Sequence, residues 1–156
     1  TVGRRLSEKL GIDFYDADHE IIDKTGVSID HIFDVEGEDG FRKRESDVLK
    51  DLCSKSNIVI ATGGGAVILK ENRLEISKNG SVVYLSSTVD QILRRISKSK
   101  TRPLLENSAD KRKTILDIVE ARDPLYREIA TIIINTNGKK LNEVIQEILT
   151  QLNKKF

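Results

Sequence analysis

The sequence predicts an α/β protein with a parallel sheet and helices on both faces of that sheet. Residues 58–62 (IVIAT), 81–86 (SVVYLS) and 131–135 (TIIIN) are short, continuous apolar runs rich in Val and Ile, which is typical of strands buried on both faces. Longer segments with apolar residues at helical spacing lie between these runs. Because alternating strands and helices favour parallel pairing, we expect a three-layer α/β/α architecture.

The individual elements follow from local patterns. Residues 12–14 are a fourth, shorter strand candidate that ends at an acidic loop. Amphipathic helices are predicted over residues 2–10, 39–55, 88–97, 111–121 and 140–152. Gly11 is the C-terminal cap signal of the first helix, and Thr88 is an N-cap candidate. Both prolines lie near predicted helix ends, and the polar stretch 97–109 predicts a mobile loop.

Composition limits the classes of function. The chain has 156 residues, which fits one domain over residues 1–156 with a core of its own. A formal net charge of +1 provides no overall field for a nucleic acid or an anionic membrane surface. The longest apolar stretches, of about six residues, are far shorter than the roughly 20 that span a bilayer. We therefore expect neither kind of partner.

Cysteine and histidine usage excludes two further kinds of site. The chain has one cysteine, Cys53, so no internal disulfide can form, and a reducing, cytoplasmic location is favoured. Cys53 lies within an apolar helical pattern and is interpreted as a packed small side chain rather than a nucleophile. His19 and His31 have no partner at metal-ligand spacing, so no zinc site is predicted.

Three consecutive glycines follow the predicted strand at 58–62. Gly63, Gly64 and Gly65 would let the backbone approach a ligand and would leave amide N–H groups free to donate. Ligands of open parallel sheets bind at the carboxyl ends of strands, which is where this run lies. The alternative is a tight strand-to-helix turn, but such a turn usually needs only one glycine. We favour a binding role.

Two carboxylates follow the short strand candidate. Asp16 and Asp18 are separated by one residue, so they could divide their work between a divalent cation and a substrate hydroxyl. The alternative makes either aspartate the N-cap of the segment that follows. The pair alone does not decide between these interpretations.

Arginines occur at positions where binding of an anion is plausible. Arg42 follows Gly40-Phe41, Arg102 lies in the polar stretch, and Arg127 follows Pro-Leu-Tyr. The planar guanidinium binds carboxylate with two parallel hydrogen bonds and spreads its charge over phosphate oxygens. A surface arginine is the commoner explanation of any single one. Together with the glycine run and the acidic pair, they favour anionic substrates.

Taken in order, these segments resemble the shikimate kinase family, a group of small P-loop kinases related in fold to the nucleoside monophosphate kinases. The matching segments are FYDADHEI at 14–21, GEDGFRKRE at 37–45, TGGGAV at 62–67, RPLL at 102–105 and PLYREIA at 124–130. Five segments in the family's order, spread over essentially the whole chain, are much more specific than any one. The resemblance implies a parallel sheet of the P-loop kinase type, five-stranded when complete, and a mobile lid at about 97–124.

The resemblance implies a role for each residue on the shikimate side. Asp18 would hold shikimate hydroxyls and take part in catalysis, and Arg42 would grip the carboxylate. Arg127 would supply a second carboxylate-binding guanidinium. The backbone of Gly63, Gly64 and Gly65 would lie against the substrate.

The nucleotide side is implied in the same way. Arg102, on the lid, would contact the ATP phosphates and the transferring group, and Arg95 matches the family's adenine-side arginine. Lys139 lies in INTNGKK at 134–140, a looser match to the adenine loop. Asp16 would approach Mg²⁺ through water, so the implied cofactor is Mg²⁺ with ATP as co-substrate.

The resemblance departs from the family at the front of the chain. The family begins with a strand, then the phosphate loop G-x-x-x-x-G-K-[ST], then a helix, whereas this sequence opens at Thr1 within that helix. By resemblance the strand is central, between those ending near Ala61 and Ser86. Without it, buried backbone groups would be left unpaired, each costing on the order of 1–3 kcal/mol. We therefore expect the natural polypeptide to extend upstream through a strand and a phosphate loop.

The activity that the resemblance implies is ATP-dependent phosphorylation of the 3-hydroxyl of shikimate to shikimate 3-phosphate, in aromatic amino-acid biosynthesis through chorismate. We expect ATP and shikimate as the only partners of a monomeric, cytoplasmic enzyme. Two alternatives remain open. A kinase of gluconate or another small polyol would not need two arginines for a ring carboxylate. A catalytically inactive relative that only binds would gain weight if the phosphate loop were absent in nature.

Overall fold

The computed structural model of the chain describes residues 1–98 and 111–155. In chain order the elements are α1 (Val2–Leu10), β1 (Asp13–Asp16), α2 (Ala17–Thr25), α3 (Ile29–Cys53), β2 (Ile58–Ala61), a 3₁₀ turn (Gly64–Val67), α4 (Lys70–Lys78), β3 (Val83–Ser86), α5 (Val89–Lys98), α6 (Lys111–Ile129), β4 (Ile132–Asn135) and α7 (Leu141–Lys155). All four predicted strands exist, but β1 extends to Asp16, which the sequence had placed in a loop. Among the described residues, no helix is long and apolar enough to cross a membrane.

The chain divides into two compact units, Thr1–Val82 and Val83–Phe156. In the first, β1 pairs with β2 in parallel, from Asp13 opposite Ile58 to Asp16 opposite Ala61. In the second, β3 pairs with β4, also in parallel. Parallel pairing, predicted from the alternation of strands and helices, is confirmed within each unit.

The core of the first unit lies between α2, α3 and the 3₁₀ turn. Its fully buried side chains include Ile21, Ile32, Leu49 and Leu52, each at most 1% exposed. Leu49 and Leu52 belong to the predicted helical stripe, so the amphipathic pattern correctly identified the buried face of α3. Cys53 is also buried, as expected of a packed side chain, and this burial raises the pKa of its thiol.

Helix α3 is bent at Gly37, where φ is 73° and ψ is −176°. This conformation is available almost only to glycine. The sequence predicted only the part of the helix beyond the bend, because the first part contributes few apolar residues to a stripe. Ser28 caps the first part, since its hydroxyl accepts a hydrogen bond from the His31 N–H at 3.2 Å.

The core of the second unit forms where α7 packs on β4. Ile134, Ile145 and Ile148 are at most 1% exposed. Strand β4 alternates, with Ile133 43% exposed, so the expectation of burial on both faces is wrong for this strand within its unit.

Two predictions about helix ends have different outcomes in this unit. Thr88 caps α5 as expected, because its hydroxyl accepts from the Gln91 N–H at 3.2 Å. Helix α6 continues through Pro124 to Ile129, so the predicted end at residue 121 is too early and Pro124 lies inside the helix. Much of the predicted lid, including Arg102 and Pro103, lies outside the described residues.

Candidate functional site

The acidic segment and the glycine run meet at one edge of the first unit's sheet. Because β1 and β2 are parallel and in register, both carboxyl ends, Asp16 and Ala61, lie at the same edge. Asp18 follows the first strand and Gly63 follows the second. If Gly63 carried a Cβ, that atom would lie 3.6 Å from Asp18 Oδ1. The structure therefore brings together two of the residues that the sequence singled out.

Asp16 serves as the N-cap of α2. Its Oδ1 accepts hydrogen bonds from the backbone N–H groups of Asp18, at 2.9 Å, and of His19, at 3.3 Å. This cap fixes where the helix begins, and so it places the Asp18 carboxylate in the first helical turn. The capping interpretation of this aspartate, left open by the sequence, is confirmed.

The glycine run answers two different structural demands. Gly63 has φ +80°, a backbone conformation that residues with a Cβ atom rarely adopt. At Gly65 the reason is proximity, because a Cβ there would lie 2.5 Å from Arg42 Nη1 and 2.6 Å from Nη2. The guanidinium of Arg42 thus rests directly against the glycine backbone, and both Asp18 and Arg42 border the turn.

Arg42 is held in place by acidic neighbours on α3. Its side chain is 13% exposed, and Nη1 donates to Glu45 Oε1 at 2.9 Å. Its Nε lies 3.5 Å from Glu38 Oε1, within ion-pair range, but is buried and makes no hydrogen bond in the described part of the chain. A mostly buried guanidinium that is only partly bonded can bind a further anion.

Glu45 is a site residue that sequence reasoning did not assign. It is 2% exposed, and a carboxylate so deeply buried needs a partner of opposite charge. The signal was available, because Glu45 lies three positions after Arg42 and the two side chains share a helix face.

The second unit contains a cavity of about 550 Å³ beside the start of α5. Its lining residues are Thr88, Gln91, Arg94, Arg95, Asn137, Gly138 and Lys139. Arg95 and Lys139, predicted separately for the nucleotide side, therefore share one cavity. Lys139 Nζ also lies 2.5 Å from Glu147 Oε2. Three cationic side chains with hydroxyl and amide groups suit a polyanion that carries a polar ring system.

Arg127 forms part of a network between α6 and β3. Its Nε donates to Asp123 Oδ2 at 2.8 Å, while the Tyr84 hydroxyl donates to Asp123 Oδ1 at 2.5 Å. Burial, and then the bond to Asp123, raises the pKa of Tyr84. The bonds from Tyr84 and Arg127 lower the pKa of Asp123. The Arg127 side chain is 52% exposed and already has an acidic partner.

Arg122 is a second arginine on α6, and the sequence reasoning did not single it out. It is less exposed than Arg127, and its side chain forms a hydrogen bond with the Tyr126 side chain. The Tyr126 ring in turn packs against the Tyr84 ring, with centroids 4.8 Å apart. Through the two packed tyrosine rings, Arg122 and Arg127 therefore belong to one group of contacting side chains on α6 and β3.

The described residues contain no group of three or more His, Cys, Asp or Glu side chains that could hold a metal ion. In kinase sites Mg²⁺ is held mainly by water and substrate phosphates and by only one or two protein carboxylates. Asp16 is the candidate for such a role, because both of its capping hydrogen bonds are accepted by Oδ1.

A parallel α/β fold with polar side chains and a glycine turn at the carboxyl ends of its strands, and with a cation-lined cavity, is typical of small-molecule kinases. The family model described as shikimate kinase matches residues 1–153. The chain belongs to the shikimate kinase family.

Individual relatives agree with this assignment. The chain is 44% identical to the shikimate kinase of Alteromonas mediterranea over 97% of this chain and 88% of that protein. The chain is 46% identical to the shikimate kinase of Chromobacterium violaceum over 97% of this chain and 82% of that protein.

Solved structures resemble the fold equally closely. The structure of shikimate kinase from Acinetobacter baumannii in complex with shikimate is 44% identical, with a TM-score of 0.92 over 99% of this chain and 86% of that one. The structure of shikimate kinase from Aquifex aeolicus is 39% identical, with a TM-score of 0.82 over 97% of this chain and 88% of that one. The predicted P-loop kinase fold class is confirmed.

Proposed function

We propose that this protein transfers the γ-phosphoryl group of ATP to the 3-hydroxyl of shikimate and so forms shikimate 3-phosphate for aromatic amino-acid biosynthesis. One observation carries the proposal: Asp18 and Arg42 border the same glycine turn, where a hydroxylated acid would meet both a carboxylate and a guanidinium. Family membership and the shikimate complex of the Acinetobacter relative support the same substrate.

Asp18 is the residue that would orient the attacking hydroxyl. Phosphoryl transfer depends on positioning and on stabilising charge more than on covalent help. A carboxylate held at the start of α2 by the Asp16 cap can accept a hydrogen bond from the hydroxyl and take its proton as the new P–O bond forms. The backbone at Gly63–Gly65 would close the floor of the pocket.

Arg42 would bind the substrate carboxylate. The hydrogen bond to Glu45 holds the guanidinium in place before substrate arrives, with Glu38 adding an ion pair, so less conformational entropy is lost on binding. Fixing the ring by its carboxylate keeps the 3-hydroxyl in line with the phosphorus.

Helix α6 would supply the second carboxylate-binding arginine. The sequence motif suggests Arg127, whereas lower exposure favours Arg122. Arg127 would have to share its charge with Asp123, which weakens its attraction for another carboxylate. Single alanine variants at the two positions identify which one raises the KM for shikimate.

On the nucleotide side, Arg95 and Lys139 would contact ATP in the α5 cavity. Arg102 would stabilise charge on the transferring group when the lid closes. Mg²⁺ bound with ATP would neutralise phosphate charge, and Asp16 is the residue that would hold its water ligands. We also propose a cytoplasmic monomer, in line with the single buried thiol.

The decisive experiment is a coupled ATPase assay of the full-length gene product with shikimate, and with gluconate as the competing acceptor. We expect turnover with shikimate only. Turnover with gluconate would favour a polyol kinase, and tight shikimate binding without turnover would favour an inactive relative.

The Arg42→Ala variant should raise the KM for shikimate at least about tenfold, because a charge-assisted hydrogen-bond pair is lost. Arg44→Ala is the matched control, since Arg44 lies on the same helix, is 44% exposed and pairs with Glu36. An unchanged KM in Arg42→Ala would remove the carboxylate assignment.

A further inference from the structure

Thr136 lies next to the residues that line the α5 cavity, and its N–H, carbonyl and hydroxyl groups all form hydrogen bonds. The residue is 3% exposed and directly follows β4. Its N–H and its hydroxyl both donate to the Ser86 carbonyl oxygen, each at 2.9 Å. These two bonds fix the rotamer of Thr136 against the end of β3.

The hydroxyl of Thr136 has a defined polarity toward the cavity. A hydroxyl can donate one hydrogen bond, and that of Thr136 is donated to the Ser86 carbonyl oxygen. Toward Arg95, therefore, the oxygen can present only lone pairs. Arg95 Nη2 donates to it at 3.3 Å. A guanidinium has only donors, so the hydrogen bond between the two groups can run only from Arg95 to Thr136.

Other bonds tie the same loop to α5. Gln91 Nε2 donates to the Thr136 carbonyl at 3.3 Å, and the Thr88 N–H donates to Asn137 Oδ1 at 3.1 Å. Thr88, Gln91 and Arg95 recur at spacings of three and four, so they share one helix face, which is the face lining the cavity. The hydrogen bonds from Gln91 and Thr88 thus hold the loop after β4 against α5. The hydrogen bond to Thr136 holds the Arg95 guanidinium itself.

We propose that Thr136 is a positioning residue that holds the Arg95 guanidinium in its nucleotide-binding orientation and thereby sets the affinity for ATP. The proposal rests on the proposed function of the α5 cavity. Arg95 is exposed, so without this anchor its long side chain would sample many rotamers, and ordering it would weaken ATP binding.

Two substitutions at Thr136 test the proposal in the full-length protein. Thr136→Val keeps the shape but removes the acceptor, and should raise the KM for ATP about fivefold, with kcat and the KM for shikimate unchanged. Thr136→Ser keeps the hydroxyl and should restore the KM for ATP. Thr150→Val is the matched control, because the Thr150 hydroxyl donates within its own helix, to the Gln146 carbonyl, and not to a residue of the α5 cavity.

The Arg95→Ala background separates positioning from simple structural support. If Thr136 acts through Arg95, Thr136→Val should add nothing to the effect of Arg95→Ala. Thermal unfolding of each variant sets an assay temperature at which all are folded. Should Thr136→Val fail to fold, Thr136→Cys, with its weaker acceptor, takes its place.

The outcomes distinguish the inference from the function on which it rests. If Arg95→Ala leaves the KM for ATP unchanged, the α5 cavity is not the nucleotide site. The assignment of that cavity to ATP and the positioning role of Thr136 are then both wrong. If Arg95→Ala raises that KM but Thr136→Val does not, the positioning role alone is wrong. The positioning role is also wrong if Thr136→Val raises the KM for ATP just as much in the Arg95→Ala background. It is wrong as well if Thr136→Ser does not restore the wild-type KM for ATP.

Discussion

Gly65 illustrates how a residue can be required by a neighbouring side chain rather than by its own backbone. A Cβ added there would collide with the Arg42 guanidinium, which a hydrogen bond to Glu45 holds in place. Gly63, two residues earlier, has a positive φ, so its requirement comes from the backbone. Two glycines of one turn, Gly63 and Gly65, are therefore needed for independent reasons.

Gly65→Ala should raise the KM for shikimate at least about tenfold, because the methyl group must displace the guanidinium from its binding position. Its effect on thermal stability should be smaller than its effect on substrate binding. Gly80→Ala is the control, since a Cβ there meets nothing within 4 Å. Measured KM and melting temperature check both variants, and a normal KM for Gly65→Ala would contradict this geometry.

At the scale of single residues, sequence reasoning found the groups with charge or with unusual composition. Asp16, Asp18, Arg42 and the glycine run could be predicted because their types and order are informative. Glu45 could have been paired with Arg42 from its i, i+3 spacing, but its burial could not be predicted, and Thr136 gave no signal because a Thr after a strand is ordinary. Their roles come from burial and from hydrogen bonds to residues distant in space.

At the scale of elements, the network of α6 and β3 couples a strand to the helix that carries both candidate arginines. Asp123 accepts from Tyr84 and Arg127 with its two oxygens, and the Arg127 guanidinium lies 5.7 Å from the centre of the Tyr84 ring. A carboxylate bonded in this way stabilises the folded state only while it is ionised.

The stabilising effect of Asp123 should therefore depend on pH. Because its pKa is lowered in the folded protein, its contribution is present above the ordinary aspartate pKa of about 3.9 and is lost as the pH falls through the folded value. The melting temperature of Asp123→Asn should lie below wild type near pH 7, and the gap should narrow toward about pH 3.

Asp117→Asn serves as the control for that comparison, since Asp117 is an exposed residue of the same helix. It should follow the wild-type profile at every pH. A constant gap between Asp123→Asn and wild type from neutral to acidic pH would show that the ionised carboxylate is not the source of the stabilisation.

The elements that sequence patterns missed are the short, polar ones. In α2 the buried residues are Ala17 and Ile21, and in α4 the buried residue is Asn72, so neither helix carries a continuous apolar stripe. Tertiary contacts and the Asp16 cap determine the first of them. The longer amphipathic helices α5, α6 and α7 were predictable because their apolar faces repeat over several turns.

At the scale of the whole molecule, a net charge of +1 conceals strong local charge. The α5 cavity gathers Arg94, Arg95 and Lys139, while Arg42 contributes a buried cation to the first unit. Overall composition gives no reason to expect a polyanionic macromolecule as a partner, and it could not reveal these two local groupings of positive charge. Only the fold brings such residues together.

Hydrogen exchange of the full-length protein should resolve the two sites. We expect shikimate to give its strongest protection within Thr1–Val82, around the Gly64–Val67 turn. ADP should protect most strongly within Val83–Phe156, around residues 136–139. Gluconate is the control ligand and should protect neither. Shikimate protection concentrated at residues 136–139 would contradict the assignment of the two sites.

The bend in α3 has a stereochemical consequence. At Gly37 the backbone angles of 73° and −176° are the mirror image of the extended polyproline conformation that ordinary L-residues adopt freely. An L-alanine there would be strained by about 1–3 kcal/mol, whereas a D-alanine would find the same angles comfortable. The helix that carries Arg42 therefore contains one position where handedness, rather than size or polarity, determines which residue the fold accepts.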